Sequence, residues 1–331
     1  MAKKSRPLSV RAISILLVLC AWIYWESAVA AQKRSGGRSG EESVRFATIS
    51  EGGTILATGE ENGAVRLRDV QTGKDLGRWA CHQRPVGVIA FGPGSRFVAS
   101  AALDDPVIKV WSPGTGEEQV RCAHPGASAL AFAPRGALLA SGGTDQTVRL
   151  WDLSTSRLQD TLTGHRANVF ALSFSPDGNS LASGAADGNV RLWDIAPAKL
   201  RVALAANPSA VQTLAFAPDS RLLAIGRQNG TVQFCEVRAG RLEEAFMVGN
   251  GGVTALAFSS DGRTLALGGA DATVRLWDLS AQREVATLKG HQKTVSGIAF
   301  APDGQFLVSA GLEGKAKVWR IGAAMTGPAH P

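Results

Sequence analysis

Five histidines are the side chains best suited to acid–base chemistry or metal binding, and their spacing decides between those uses. His82, His124, His165 and His291 recur in steps of 41 or 42 residues or a multiple of that step, and His330 stands apart near the end. Catalysis or metal binding needs its groups gathered in one pocket. Histidines repeating at the period of a structural unit instead bond within their own units, too far apart to share an ion. Cys81, Cys122 and Cys235 form no C-x-x-C pair, and neither an H-E-x-x-H nor a haem motif occurs. Cys81 and Cys122 occupy near-equivalent places in successive units, so a disulfide is conceivable in an oxidising compartment; the expected separation exceeds the ~7 Å limit on Cα spacing. Gly114-Thr115-Gly116-Glu117 lacks the lysine and following helix of a phosphate loop and reads as a turn. No catalytic, cofactor-binding or metal-binding set emerges. The expectation is a protein that is not an enzyme and carries no cofactor.

The elements that position these residues are repeats. Phe91, Phe132, Phe174, Phe216, Phe258 and Phe300 recur at intervals of 41 or 42 residues. Trp111, Trp151, Trp193, Trp277 and Trp319 keep nearly the same step, with Cys235 where one tryptophan is due and Arg68 as a degenerate first instance. Seven units result, from Val44 onward. In the fourth, Val169–Phe174 predicts a first strand, Ser175-Pro176-Asp177-Gly178 a turn, Ser180–Gly184 a second strand, Ala186-Asp187-Gly188 a tight turn and Asn189–Asp194 a third strand. A weaker fourth strand leads to the next unit near Asn207. Strands of about five residues with a turn every ~10 residues make a small antiparallel sheet. One such sheet cannot hide two apolar faces; seven packed face to face in a ring can. The fold class is therefore all-β, a seven-bladed β-propeller of four-stranded antiparallel sheets preceded by an N-terminal signal peptide.

Val-Arg-Leu-Trp-Asp at 148–152, 190–194 and 274–278, with Gly-His at 164–165 and 290–291, resembles the WD40 repeat. The resemblance covers residues 44–321 and implies blades tied by a His, Ser, Asp and Trp hydrogen-bond set. Carried over residue by residue, it assigns His82, Ser100, Asp105 and Trp111 to blade two and His124, Ser141, Asp145 and Trp151 to blade three. Blade four supplies His165, Ser183, Asp187 and Trp193. Blade seven supplies His291, Ser309 and Trp319, with Glu313 in the Asp place. Three blades depart from the pattern. Blade one has Arg68 for Trp, Asn62 for Asp and no histidine. Blade five has Asn207, Ile225, Asn229 and Cys235 at the four positions. Blade six keeps Asp271 and Trp277 but has Asn250 and Leu267. Blades one and five are thus the expected specialised or softer sectors. Asp152, Asp194 and Asp278, which end third strands, are expected to bond turn amides or arginines. Arg66, Arg149, Arg191 and Arg275 share one repeat position, with pairing inside blades expected over a binding stripe.

The resemblance also implies that the last blade is completed by an N-terminal strand. Gln32–Ser43 has almost no strand character, so either it adds by backbone pairing alone, the favoured expectation, or blade seven stays three-stranded. Upstream, a basic start from Met1 to Arg11, an apolar run from Ala12 to Trp25 and small residues at Ala28 and Ala30 give the layout of a secretory signal cut after Ala30. The competing expectation is an uncleaved anchor, although the run falls short of the ~20 residues of a spanning helix. Leu19 is too large for a lipoprotein box at Cys20. The expected segments are a signal peptide or anchor at 1–30, a flexible linker at 31–43, the propeller at 44–322 and a flexible tail at 323–331. Export to a periplasmic or extracellular place, in a bacterium, follows as the expectation.

Formal charge is +7, but Lys3, Lys4, Arg6 and Arg11 lie in the leader, where Glu26 is the sole acid. The rest holds 31 basic and 27 acidic residues, too even for a phosphate-binding footprint. Nucleic acid is therefore excluded as a partner, as is a membrane once the leader is cut. A monomeric propeller binding protein partners through its loops is expected. The resemblance places docking on the face with the loops before each first strand and between second and third strands. Candidate contacts there are Arg84, Arg166, Asn168, Asn250 and Lys293, with Phe170 the one aromatic at its repeat position. The alternative is a small-molecule binder or enzyme using the central channel.

Overall fold

The computed structural model describes residues 43–135, 138–204, 207–249 and 251–321. The signal segment or anchor expected at 1–30, most of the linker expected at 31–43, Asn250 and the tail expected at 323–331 lie outside the described residues.

Each repeat folds as predicted, into an antiparallel sheet whose strands follow sequence order. Blade four has strands at Val169–Phe174, Ser180–Ala185, Val190–Ile195 and Ala198–Leu204. Its second strand is buried along its whole length, because sheets pack on both of its faces. The fourth strand is mostly exposed and forms the rim. Blade five departs at this rim: its outer strand is broken into Arg241–Leu242 and Phe246–Met247. Gln233 bridges the break by donating from Nε2 to the Glu243 carbonyl (2.8 Å). Blade seven has three strands among the described residues, ending with Lys315–Arg320.

The ring closes through its innermost strands. The first strand of each blade lies beside those of its two neighbours, and the first strand of blade seven, Val295–Phe300, lies beside that of blade one, Val44–Ile49. Ala47, Ile49 and Leu56 of blade one pack against Val308 and Ala310 of blade seven. Ser296 Oγ donates to the Ala47 carbonyl (2.6 Å), and an Arg68 Nη donates to the Gly314 carbonyl (3.4 Å). Arg68 therefore replaces a buried tryptophan with a polar clasp across the closing seam.

Small residues on the second strands set the spacing between blades. A Cβ on Gly184 would fall 2.3 Å from a methyl of Val211 in the next blade, and one on Gly142 would fall 2.5 Å from Val169. Backbone and valine thus meet directly, and the first-strand valines Val86, Val169, Val211 and Val295 are fully buried.

The Ser43 carbonyl accepts from Glu61 N–H (3.0 Å) in a bond that all seven blades repeat. The equivalents are Leu103 to Pro85, Thr144 to Gly126, Ala186 to Asn168, Gln228 to Ala210, Ala270 to Gly252 and Leu312 to Thr294. These bonds tie the turn after every second strand to the loop before the same blade's first strand. They bring both loop sets onto one face.

Candidate functional site

The loop face is built on the histidine networks. In blade two His82 bonds Asp105 (2.8 Å) through Nδ1 and Ser100 (2.9 Å) through Nε2. In blade three the ring is turned over, with Nδ1 on Ser141 (2.7 Å) and Nε2 on Asp145 (3.1 Å). Trp151 Nε1 donates to the same Ser141 hydroxyl (2.8 Å). Blade seven keeps the set despite its exchange: His291 bonds Ser309 (2.6 Å) and Glu313 (2.5 Å), and Trp319 donates to Ser309 (2.8 Å). The longer glutamate reaches the ring as well as aspartate does.

Two assignments need correction. In blade four His165 bonds Ser183 (2.7 Å) and Trp193 donates to Ser183 (2.8 Å), but Asp187 does not reach His165. Its carboxylate accepts instead from the Asn189 (3.0 Å) and Arg166 (3.3 Å) backbone N–H groups, capping the turn and the loop. The His165 Nδ1 is left without a partner. Burial, reinforced by the Arg191 guanidinium, pushes this histidine down to about 4. In blade two the Trp111 indole N–H makes no bond to Ser100; Trp79 rests against the ring instead, centroids 4.8 Å apart.

Departing blades fill the vacated histidine space in their own ways. Blade five puts Arg227, 1% exposed, where blades three, six and seven have a glycine. One Nη donates to the Gly188 (2.8 Å), Ser209 (3.0 Å) and Asn207 (3.3 Å) carbonyls, stitching blade five to blade four. Blade one uses Glu60, 2% exposed, paired with Arg78 (2.7 Å). In blade six Leu267 offers no hydroxyl, and Trp277 is stacked by Phe246 at 4.0 Å. Asp271 pairs with Arg275 (2.8 Å).

The arginine series stays inside the blades, as expected. Arg66 pairs with Asp75 (2.5 Å), Arg149 with Asp145 (2.9 Å), and Arg191 donates to the Gly164 carbonyl (2.6 Å). Asp152 and Asp278 accept from turn N–H groups of Ser154 (2.8 Å) and Ser280 (2.8 Å), while Asp194 pairs with Arg201. Cys81, Cys122 and Cys235 are free thiols. Burial pushes them up to about 11, 12 and 11, which keeps them protonated and weakly nucleophilic. Among the described residues, no three His, Cys, Asp or Glu side chains are grouped to hold a metal ion.

What remains open on the loop face is a short roster. Arg84, Arg166 and Lys293 are exposed, in the loops of blades two, four and seven, so they share a face but not a single spot. Arg166, Asn168 and Phe170 do come together, at the start of blade four. Asn168 is half-buried and its carbonyl belongs to the repeated ring of backbone bonds. Phe170 stands at a bulge, where the pairing register slips between Val169 and Ala171. At that position blades three, six and seven carry hydroxyls that clip the next blade: Ser128 to the Val169 carbonyl (2.7 Å), Thr254 to Val295 (2.6 Å) and Ser296 to Ala47. Phe170 has no hydroxyl and is 37% exposed. Sequence reasoning missed Leu103 and Leu312, half-buried apolar residues on the same face; their signal is a large apolar type at a repeat position that elsewhere holds Glu61, Thr144, Ala186, Gln228 or Ala270.

A seven-bladed ring with histidine–serine–tryptophan networks defines a class, and the comparisons with known proteins agree. The family model for the first β-propeller of IFT122 matches residues 126–328, and that for the WD domain, G-beta repeat, matches residues 73–112. The chain belongs to the WD40-repeat β-propeller family. Similar proteins include the nuclear distribution protein PAC1 of Gibberella zeae, 30% identical over 33% of this chain and 26% of that one. WD repeat-containing protein slp1 of Schizosaccharomyces pombe is 32% identical over 40% of this chain and 27% of its own. WD repeat and SOCS box-containing protein 1 of Xenopus tropicalis is 31% identical over 30% of this chain and 24% of its own. The chain thus matches about a quarter of the length of each relative.

Proposed function

We propose that this chain is an exported, non-catalytic scaffold that holds a protein partner on the loop face of its ring. Propellers of this family typically serve as protein-interaction scaffolds, and the loops here are fixed by the repeated backbone bonds, which suits rigid display of side chains. Phe170 carries the proposal: a bulky aromatic at 37% exposure, where other blades place small or polar groups, is the kind of anchor that interfaces bury. Arg166 beside it supplies a free charged rim. The described histidines are engaged in hydrogen bonds within their blades and the described thiols are protonated and sheltered, which favours a role without chemistry. The basic start, the apolar run at 12–25 and the small residues at 28 and 30 support export, with the membrane as a tether if the leader is kept.

The test uses a C-terminally tagged full-length chain in the cells that make it. Phe170→Glu and Arg166→Glu should keep the wild-type circular dichroism and melting point while partner capture falls at least tenfold. Undiminished capture by both variants would defeat the loop-face assignment. Sequencing the recovered N-terminus should give Ala31 in the exported fraction; an intact leader in the soluble cytoplasm would defeat export.

A further inference from the structure

Six blades carry a fourth strand, whole or in pieces; among the described residues, nothing pairs with the outer edge of Lys315–Arg320 in blade seven. Ile321 N–H donates inward, to the Gln305 carbonyl (2.9 Å). Alternation along the strand then turns the N–H groups of Ala316, Val318 and Arg320 outward. Such an edge is a template for another strand.

Val318 marks the same place independently. Its counterparts Leu67, Val110, Leu150, Leu192, Phe234 and Leu276 are at most 7% exposed, whereas Val318 is 51% exposed. Two covers are missing. In other blades this side chain packs beside the next blade's tryptophan, as Leu150 does with Trp193 and Leu276 with Trp319. The next blade here offers Arg68 instead, a polar side chain engaged by Asp75 (3.2 Å) and the Gly314 carbonyl (3.4 Å). The second missing cover is the fourth strand itself.

Charge selects the occupant. Lys315, Lys317 and the half-buried Trp319 lie on one face of the strand, Ala316 and Val318 on the other with Arg320, which is exposed at its end. Five of the six fourth strands end six or seven residues before the next first strand, as Lys289 does before Val295 and Leu162 before Val169. That spacing points, in this chain, to about residues 32–38, Gln-Lys-Arg-Ser-Gly-Gly-Arg. This stretch has no apolar side chain to lay on Val318, two glycines that weaken a strand, and three cations facing three cations. A segment alternating apolar and acidic residues meets both faces.

We infer that the open edge of Lys315–Arg320 takes up an extended, alternating acidic–apolar segment of a partner protein by strand addition. Apolar residues cover Val318, and carboxylates meet Lys315 and Lys317. The edge lies on the rim rather than the loop face, so it stands or falls separately from the loop-face proposal.

The probe is a synthetic eight-residue peptide alternating valine and glutamate, with a valine–lysine peptide as control, added to the full-length chain. Amide exchange at Ala316, Val318 and Arg320, followed by NMR, should be fast in the chain alone. The valine–glutamate peptide should slow it at least tenfold and the control should not. The Lys315→Glu/Lys317→Glu double variant should reverse that preference. Amides already protected without peptide would show that the chain covers its own edge and would overturn the inference. Amides still fast at saturating valine–glutamate peptide would overturn it equally.

Discussion

Trp193→Ala tests whether the blade seams carry the stability of the ring. Trp193 is 2% exposed and packs with Leu150, Val169 and Leu181. Removing a buried tryptophan of this kind costs about 3–5 kcal/mol through lost burial and the cavity left behind. Its indole bond to Ser183 adds about 1 kcal/mol, and Ser183 is not orphaned because His165 still bonds it. Trp193→Phe separates the two contributions: most of the packing stays and the donor goes, for about 1–2 kcal/mol. Blade five shows why the damage stays local. Cys235 fills the equivalent place at 0% exposure, with Leu242 and Val202 packed around it, so a blade survives when its neighbours close in. Urea unfolding followed by circular dichroism, with the slope compared between variants, measures both costs. Trp193→Ala should also melt roughly 10 °C lower, at about 2–4 °C per kcal/mol for a domain of this size. A loss under about 1 kcal/mol at unchanged slope would refute the seam argument. Equal losses in the two variants would place the energy in the hydrogen bond instead of the packing.

Other consequences follow from the same networks. His165 titrates near 4 in the folded chain against an ordinary 6.5, chiefly because it is buried. The unfolded chain therefore binds the proton first, so stability falls as the pH drops below 6.5 and the loss levels off near 4, reaching at most about 3 kcal/mol. His165→Asn, copying the asparagine of blade five, should flatten that stretch of the stability–pH curve; an unaltered curve would exclude His165 as its source. Arg227→Leu should cost about 3–5 kcal/mol, because three carbonyls between blades four and five lose their shared donor. Urea midpoints within error of the wild type would mean water replaces the guanidinium without loss.

Much of the ring was legible because its physics is periodic. Phenylalanine and tryptophan spacing gave the blades, and turn residues such as Pro176-Asp177-Gly178 gave the strand ends. The serine–histidine bonds followed wherever both residues recurred in step. Asp187 shows where this stops: a carboxylate that the motif pairs with a histidine is turned by loop geometry onto two backbone N–H groups instead, and a motif does not encode that geometry. Arg227 and Glu60 were invisible for a related reason. Each fills a space defined by a side chain that is missing from a neighbouring loop, and absences three-dimensional in origin leave no periodic mark. Phe170 was legible as the odd residue at its position, but its projection at a bulge came only with the strand register. The Arg68 clasp joins residues 246 apart in sequence, beyond the reach of any local pattern.

Photocrosslinking from position 170 tests the central claim most directly. A crosslinking amino acid replaces Phe170 in the full-length chain, and a control chain carries it at Asn179, exposed in the turn at the opposite end of the same blade. The account predicts one abundant protein joined at position 170, in near-stoichiometric yield, with little or none joined at position 179. Crosslinking at 179 in equal or greater yield, or a chain recovered alone from both positions, would contradict it.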